Sequence, residues 1–594
     1  MREPRQRRFR RRIVLLLILA VALVAVVRLG QVQLVQAGSY NEASRGKRAV
    51  PVVVPAVRGD IVDRNGEVLA STDERYDVQL SPKNTKVSGG VFYRATGRGL
   101  ETEEITSYQA FEEIGAITGQ TADEIQKIVD DALAENPKSD FAYVKRRVTL
   151  GQLNDLKELG IPWLTFASNF NRTYPNGAVA GNLIGFFGDE GVAQAGLELS
   201  QDECLAGTDG SETYERSADG VALPGSSVTT EEVSNGGDVN LTIDRDMQWQ
   251  VQQIVNEAQR HYIGEWALAV VMDAKTGELL AVAEDGSVDP NNVQDSSLDR
   301  REARSFTSPY EPGSTFKTIT AAAVLDQGKA TTTERVIVPG IWDRNGAHFG
   351  DWYQHGDETM TFAGVIEISS NIGTAIFGER LTPDQRYDYL QKFGIGVATD
   401  VGMPLEDSGL LFPPDQWDAQ TNYTTMFGQG VSSTIVQTAG VFQTIANNGV
   451  RVPPTLVKNC VLADGTVIDY PRQDEVKVIS PEAAKETTAM LETVVSPEWI
   501  QEQVGIPGYR VAGKTATAEQ PDGHGGYRRD FVYSFAGFFP AEDPQYVVVT
   551  SLAFPKGPGL TSGARHMWKD ISAAVVRHYQ VPPSSSTFES LPLS

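Results

Sequence analysis

The stretch that decides the fold of this 594-residue chain reads Tyr310-Glu311-Pro312-Gly313-Ser314-Thr315-Phe316-Lys317. A helix is expected to follow through residues 318–325. Residues three apart share a helix face, so Ser314 and Lys317 can meet there. A serine hydroxyl is a poor nucleophile until a base removes its proton, and a buried lysine can be that base. The stretch therefore predicts nucleophilic chemistry at Ser314 with Lys317 as base.

A second motif, Ser369-Ser370-Asn371, comes after an apolar run and is expected in a turn between helices. The Ser369 hydroxyl could pass a proton to a leaving amine. The Asn371 amide could hold a peptide group of the substrate. This motif alone is more typical of a turn or a helix cap, and it gains meaning from the other two motifs.

A third motif, Lys514-Thr515-Ala516-Thr517, is expected on a strand beside the nucleophile. Lys514 offers a positive charge for a substrate carboxylate, and Thr515 and Thr517 offer hydroxyls. A backbone N–H of this strand, together with that of Ser314, would form an oxyanion hole.

Length and charge limit the choice of fold and partner. A chain of 594 residues is expected to form two or three domains. Its net charge is −25, although residues 1–28 hold eight arginines and one glutamate. An acidic body repels phosphate backbones, so the sequence argues against nucleic acid as a partner.

The N-terminal arginines precede an apolar run from Ile13 to Val27. We expect residues 13–35 to form an uncleaved transmembrane anchor, with residues 1–12 as a cytoplasmic tail and the rest outside. The alternative is a signal peptide cleaved at Val35-Gln36-Ala37. Both interpretations place the body of the protein outside the cytoplasm.

The remaining chain is expected to contain two folded parts with a boundary near residue 238. Residues 36–237 form the first part. Residues 40–80 look rich in strands, with a hairpin signal at Asn65-Gly66, and residues 101–135 look helical, with a capping pattern that begins at Thr121. Residues 238–581 contain a predicted strand–turn–strand at 267–283 and a buried strand at 547–552. Serine and proline in residues 582–594 predict a disordered tail.

The cysteines and histidines leave two alternatives open. Cys204 and Cys460 could form one disulfide in an oxidising compartment, although we expect two separate thiols. A zinc site is the other alternative, because ligand-type residues cluster before the second motif: His348, Asp351, His355 and Asp357. Their segment is rich in Gly, Trp and Tyr and looks like a loop, so we expect no metal.

The three motifs together resemble those of penicillin-binding proteins, and the rest of the chain is similar to the class B, high-molecular-weight type. The resemblance extends to the following sequences outside the catalytic motifs: Arg58-Gly59-x-Ile61-x-Asp63-Arg64-Asn65-Gly66-x-x-Leu69-Ala70, Arg172-x-Tyr174-Pro175-x-Gly177, Gly196-Leu197-Glu198, Gly207-x-Asp209-Gly210, Gly428-Gln429-Gly430 and Ser534-Phe535-x-Gly537-Phe538-x-Pro540. The segment 310–317 resembles the nucleophile region of division-type members.

This resemblance implies an α+β multidomain fold. It comprises a transmembrane helix, an elongated, β-rich pedestal or dimerisation module, and a transpeptidase domain with an antiparallel five-stranded sheet, flanking helices and an all-helical subdomain. The implied activity is D,D-transpeptidation of peptidoglycan, with β-lactams acylating the same serine. Ser314 would attack the penultimate D-Ala carbonyl, with Lys317 as base, Ser369 as proton relay and Asn371 as a substrate contact.

The same resemblance implies that Lys514, Thr515 and Thr517 bind the substrate carboxylate, with the Thr517 N–H in the oxyanion hole. Ala516 departs from the family pattern, which has glycine there, and an altered affinity for β-lactams is expected. The implied partners are peptidoglycan stem peptides on lipid II-derived strands, a polytopic glycosyltransferase of the shape, elongation, division and sporulation (SEDS) family, and other membrane proteins of the divisome. No cofactor is implied, and a septal role is expected over an elongation role.

Other classes fit the sequence less well. A bifunctional class A enzyme needs a glycosyltransferase domain in the space that the class B signature occupies. A β-lactamase is usually one soluble domain, and a β-lactam sensor usually has several membrane helices. A non-enzymatic scaffold would not need intact motif residues at all three positions.

Overall fold

The computed structural model describes residues 5–40, 46, 49–95, 102–188, 191–215, 226–524 and 526–594. The chain divides into two compact units that interleave along the sequence. The first unit comprises Met1–Val57, Glu74–Asn171 and Thr208–Asn235, and the second comprises Arg58–Asp73, Arg172–Gly207 and Gly236–Ser594. The division therefore does not follow a single cut near residue 238. Residues 1–4 of the expected cytoplasmic tail lie outside the described residues.

The strands within the described residues are, in chain order, β1 Ala49–Val54, β2 Ile61–Val62, β3 Val68–Asp73, β4 Tyr76–Leu80, β5 Val91–Ala95, β6 Thr102–Thr106, β7 Ala142–Val148, β8 Leu164–Ser168, β9 Asn171–Thr173, β10 Gly210–Glu215, β11 Val228–Glu231, β12 Asp238–Leu241, β13 Trp266–Asp273, β14 Leu279–Glu284, β15 Arg335–Val338, β16 Trp342–Arg344, β17 Ala347–Phe349, β18 Glu358–Thr361, β19 Val450–Arg451, β20 Val457–Val461, β21 Val467–Asp469, β22 Val476–Lys477, β23 Ala512–Pro521, β24 Tyr527–Phe539 and β25 Tyr546–Ala553.

The α-helices within the described residues are Arg5–Gly30, Ser107–Thr118, Ala122–Glu135, Leu150–Glu158, Gly181–Ile184, Gly196–Ser200, Asp202–Leu205, Arg245–Tyr262, Arg304–Thr307, Lys317–Asp326, Phe362–Glu367, Asn371–Gly378, Pro383–Lys392, Thr421–Thr424, Ile435–Ala446, Pro481–Val495, Glu498–Val504 and Gly563–Tyr579.

The first unit begins with the apolar helix. Residues Phe9–Val35 form a helical segment long and apolar enough to cross a membrane, as the sequence predicted. The rest of the unit contains sheets with strand orders β1-β10-β11, β7-β4-β8 and β5-β6. The helix Ala122–Glu135 begins with the predicted capping box, in which Thr121 and Glu124 exchange hydrogen bonds. The segment 102–106, expected to be helical, is strand β6 instead.

The second unit is built on a five-stranded antiparallel sheet with strand order β14-β13-β25-β24-β23. Side chains alternate between its faces, as strand geometry requires. Along β13, Leu268 and Val270 join one apolar core, and Ala267 and Ala269 join the other. The first core includes the helices 317–326, 435–446 and 481–495, and the second includes helices 245–262 and 563–579. The predicted strand–turn–strand at 267–283 is confirmed.

Two early segments share the first core with the sheet. Ile61 of β2 and Leu197 are fully buried in that core. Arg58 also donates to the buried Glu198 carboxylate at 2.7 Å, which ties the segments 58–73 and 172–207 together. The Asn65-Gly66 turn joins β2 to β3, with Gly66 at φ +84°, as the hairpin signal predicted.

The cysteines form a disulfide instead of two separate thiols. Cys204 and Cys460 are bonded across 256 residues of chain. Cys460 lies on β20, which pairs with β12, and Gly237 donates a backbone hydrogen bond to the Cys204 carbonyl. The neighbouring backbone segments thus bring together two residues whose separation in sequence gives no sign of contact.

The C-terminal residues 582–594 are ordered on the second unit and do not form the expected disordered tail. Ser584 bonds to the backbone of Gly508 and Arg510, and Leu591 donates to the Thr493 hydroxyl. The Leu593 carbonyl accepts from the Thr361 N–H at 3.0 Å. Thr361 caps the helix Phe362–Glu367, which leads into the second motif.

Candidate active site

Ser314 lies in a 3₁₀ turn, Gly313–Phe316, directly before the helix Lys317–Asp326. Residues three apart are also aligned in a 3₁₀ turn, so the predicted Ser314–Lys317 relation is retained. Gly313 has φ +57°, and a Cβ there would lie 2.9 Å from the Ala518 Cβ of β23. The Gly313 N–H donates to the Gly428 carbonyl at 2.9 Å. The turn is therefore held between strand β23 and the loop at Gly428.

Ser369 lies between the helices Phe362–Glu367 and Asn371–Gly378, in the predicted turn. Its φ is +64°, a left-handed conformation that costs a non-glycine residue about 1–2 kcal/mol. Ser370 caps the second helix by accepting a hydrogen bond from the Gly373 N–H at 2.8 Å. Such strain is found where neighbouring contacts hold a residue in place, often at functional sites.

Two lysines converge on the Ser369 hydroxyl. Lys317 Nζ donates to Ser369 Oγ at 3.2 Å and also to the Ser369 carbonyl. Lys514 Nζ donates to the same Oγ at 3.0 Å. Both lysines are 0% exposed. The three predicted motifs therefore meet through one side chain from each.

Ser314 is half-buried in the 3₁₀ turn that directly precedes Lys317. Within the described part of the chain its hydroxyl has no hydrogen-bond partner, and the Lys317 amine faces Ser369. Hydrogen bonds between nucleophile and base are commonly loose in free enzymes and tighten with substrate bound.

Burial changes the charge states of both lysines. Burial, followed by the nearby Lys514 charge, lowers the pKa of Lys317 well below its usual value, while Asp351 opposes this effect. Burial lowers the pKa of Lys514 to about 7, and Glu367 opposes that change. Protonation of one amine thus disfavours protonation of the other, and a neutral amine is accessible near neutral pH.

The third motif lies on β23, which is an edge strand of the central sheet. Lys514 and Ala516 lie on one face of the strand and are buried, whereas Thr517 is exposed. The Lys514 amine also contacts Thr515 Oγ1 at 3.5 Å. An edge strand leaves backbone groups free to pair with an extended peptide, as substrate binding requires.

Two carboxylates near the site were not singled out from the sequence as site residues. Glu311 has one oxygen that accepts from the Gly430 N–H and the Tyr527 hydroxyl, and burial raises its pKa to about 7. Glu367 precedes the second motif by two residues, and burial raises its pKa as well. The only feature of the sequence that could have indicated their role is that each acidic residue lies close to one of the motifs.

The four residues considered for zinc do not converge. His348 is exposed and lies 3.7 Å from Asp343, and Asp357 is also exposed. Asp351 and His355 face each other at 3.2 Å in a buried pair. Across the described residues, no group of three or more such side chains is arranged to hold a metal ion.

Comparison with known protein families identifies the two domains of this chain. Residues 267–575 match the penicillin binding protein transpeptidase domain, and residues 53–241 match the penicillin-binding protein dimerisation domain. The chain is a class B penicillin-binding protein. It has the two-domain fold of that family and is a peptidoglycan D,D-transpeptidase that binds β-lactams.

Relatives and solved structures agree with the family. The chain is 36% identical to penicillin-binding protein PbpB of Mycolicibacterium smegmatis, covering 97% of this chain and 91% of that protein. It is 28% identical to the peptidoglycan D,D-transpeptidase FtsI of Escherichia coli, covering 90% and 86%. It is similar to penicillin binding protein 3 of Mycobacterium tuberculosis in complex with aztreonam, with TM-score 0.67, 32% identity and coverage of 90% and 98%.

Proposed function

We propose that this penicillin-binding protein cross-links stem peptides through an acyl-enzyme on Ser314. The observation that carries the proposal is the convergence of the buried Lys317 and Lys514 on Ser369, beside the turn that holds Ser314. A neutral Lys317 removes the Ser314 hydroxyl proton as Oγ attacks the carbonyl carbon of the penultimate D-Ala. The lowered pKa of Lys317 makes that neutral amine available.

Collapse of the tetrahedral intermediate breaks the C–N bond and leaves an ester on Ser314. The departing D-Ala amine takes a proton, which Ser369 relays from the lysine cluster. An amine of a second stem peptide then attacks the ester, loses a proton through the same residues and restores the Ser314 hydroxyl. The sum is exchange of one peptide bond for another.

The remaining motif residues bind and polarise the donor peptide. The backbone N–H groups of Ser314 and Thr517 stabilise the oxyanion, a role that the free edge of β23 supports. Lys514, Thr515 and Thr517 bind the terminal carboxylate. Ala516 lies on the same buried face as Lys514, and its methyl group, which the usual glycine lacks, occupies space next to that lysine. Asn371 contacts the substrate's peptide group.

We further propose a single-pass topology with the N-terminus in the cytoplasm. The apolar segment 9–35 and the preceding arginines support this orientation. Likeness to FtsI and the division-type sequence at 310–317 support a septal role with a SEDS glycosyltransferase and divisome proteins as partners. Depletion in the source bacterium should give filaments with incomplete septa, whereas rounded or widened cells would indicate an elongation role.

The activity is tested by release of D-Ala from a D-Ala-D-Ala pentapeptide, with an acceptor amine added and full-length protein in detergent. Each D-Ala released should match one cross-linked or hydrolysed product. Ser314→Ala should lower the rate by at least about a thousandfold. A wild-type protein that releases no D-Ala, yet recruits cell-wall proteins, would support the scaffold alternative instead.

A further inference from the structure

Asp351 is the most heavily bonded carboxylate near the second motif. Its side chain is 0% exposed. One oxygen accepts from the N–H groups of Asn371 and Ile372, at 2.5 and 3.0 Å. The other accepts from the Ser370 hydroxyl at 2.6 Å and faces His355 Nε2 at 3.2 Å. A single carboxylate thus holds the three residues that directly follow Ser369, at a helix N-terminus, where negative charge is favoured.

His355 completes this arrangement. Its side chain is 2% exposed and stacks on the Tyr353 ring, with 4.7 Å between centroids. Its Nδ1 lies 2.7 Å from the Gly356 carbonyl, and its Nε2 faces Asp351. A carbonyl and a carboxylate only accept hydrogen bonds, so a ring nitrogen that bonds to either of them donates. The imidazole ring thus lies between the Gly356 carbonyl and the Asp351 carboxylate, with one nitrogen facing each.

We propose that Asp351 and His355 are positioning residues that hold Ser369 in its left-handed conformation, with its hydroxyl facing both lysines. This inference rests on the proposed function, because it concerns how the relay serine is presented. Ser369 is fixed on its N-terminal side by the helix Phe362–Glu367 and on its C-terminal side by the residues bonded to Asp351. Without Asp351 the turn can relax toward an unstrained conformation and carry the hydroxyl away from the amines.

Asp351 also acts on the charge of the predicted base. Its carboxylate raises the pKa of Lys317 and so offsets part of the lowering by burial and by Lys514. The groups that face Lys317 are Lys514 from β23, Ser369 and Asp351 from the second-motif region, and the Phe427 ring at 5.9 Å. Glu367 acts on Lys514. Removing the Asp351 charge should therefore make Lys317 harder to protonate.

The test measures the second-order rate constant for acylation by a fluorescent penicillin, from pH 5 to pH 9, with full-length protein in detergent. Asp351→Asn keeps the shape but replaces one acceptor oxygen with a donor. We expect its plateau rate to fall about tenfold or more, as the loss of a buried hydrogen-bond partner implies. The acidic limb of its profile should move to lower pH, which loss of packing alone would not produce.

His355→Phe removes both ring nitrogens and keeps a ring to stack on Tyr353. Its rate should fall several-fold, and its acidic limb should not move to lower pH, because Asp351 keeps its charge. His355→Gln restores an N–H donor toward Asp351 and should recover part of the rate. Asp343→Asn and His348→Gln are matched controls, because that pair is exposed in the adjacent hairpin β16–β17, and both should stay within twofold of wild type.

Thermal melting of each variant separates misfolding from mispositioning. If Asp351→Asn does not fold, the acylation rates of His355→Phe and His355→Gln test the proposal in its place. Wild-type rates in both Asp351→Asn and His355→Phe would overturn the proposal. A lower plateau with an unmoved acidic limb in Asp351→Asn would also overturn it, in favour of a structural role alone. A wild-type protein that is never acylated would instead refute the proposed function.

Discussion

The contact between Gly428 and Gly313 yields a quantitative prediction about the nucleophile turn. Gly428 has φ +80°, and a Cβ there would overlap the carbonyl oxygen of Gly313. Its own carbonyl accepts the Gly313 N–H at 2.9 Å. Gly428→Ala therefore places a non-glycine residue in a left-handed conformation, at about 1–2 kcal/mol. It also forces apart a hydrogen bond worth about 1 kcal/mol. We expect a loss of about 2–3 kcal/mol in the free energy of unfolding.

The assay combines thermal melting with the rate of acylation by a fluorescent penicillin. Gly428→Ala should melt several degrees lower and acylate more slowly, because the turn that carries Ser314 loses its contact. Gly440→Ala is the matched control. It lies in the helix Ile435–Ala446, and its added Cβ would meet no atom within 4 Å apart from the neighbouring backbone of that helix, so the variant should be neutral or up to about 1 kcal/mol more stable. Wild-type melting and acylation in Gly428→Ala would refute this reasoning.

Three further predictions concern the second unit. Ending the chain at Val581 should lower the melting temperature, since residues 584–594 bond to three elements of that unit; an unchanged melting curve would contradict the contacts described. Ala516→Gly should retain transpeptidation and raise the acylation rate of bulky β-lactams a few-fold, as competition against a fluorescent penicillin would show. The same change should lower the free energy of unfolding by about 0.5–1 kcal/mol. Lys514→Met should abolish acylation yet raise the melting temperature at neutral pH, because it removes an amine that is costly to bury in its charged form. The pKa of Lys514 is lowered to about 7 in the folded protein, so the unfolded chain binds more protons between about pH 7 and 10. Wild-type stability should thus rise with pH across that window, and the rise should be smaller in Lys514→Met, where only Lys317 still contributes to it, as melting curves at several pH values would show.

Local signals in the sequence identified much of the fold. The capping box at Thr121, the Asn65-Gly66 turn and the apolar runs of β13, β14 and β25 each depend on a few adjacent residues. Such features follow from backbone preferences and alternation, which sequence patterns carry directly.

Features that depend on distant contacts were not predictable. Tertiary contacts determine three such features: the Cys204–Cys460 disulfide, the inclusion of residues 58–73 in the second unit, and the packing of residues 582–594. Serine-rich composition suggested disorder, yet hydrogen bonds to Gly508 and Thr361 order the tail.

The candidate site also combines features that local sequence patterns predict with features that depend on distant contacts. The three motifs and their spacing identified the candidate residues, and the structure brings the side chains of Lys317, Ser369 and Lys514 together. The orientation of the Lys317 amine toward Ser369 depends on the left-handed turn at Ser369, which no pattern announces. Asp351 was considered only as a metal ligand, because its partners lie about twenty residues later in the chain.

The central claim is that Ser314 carries the acyl group, and the most direct measurement is the intact mass of the protein after exposure to a penicillin. We predict one stable adduct per chain with the mass of the drug, which peptide mapping places on Ser314 and which Ser314→Ala abolishes. An adduct that persists in Ser314→Ala, or rapid drug turnover without any adduct, would contradict the account.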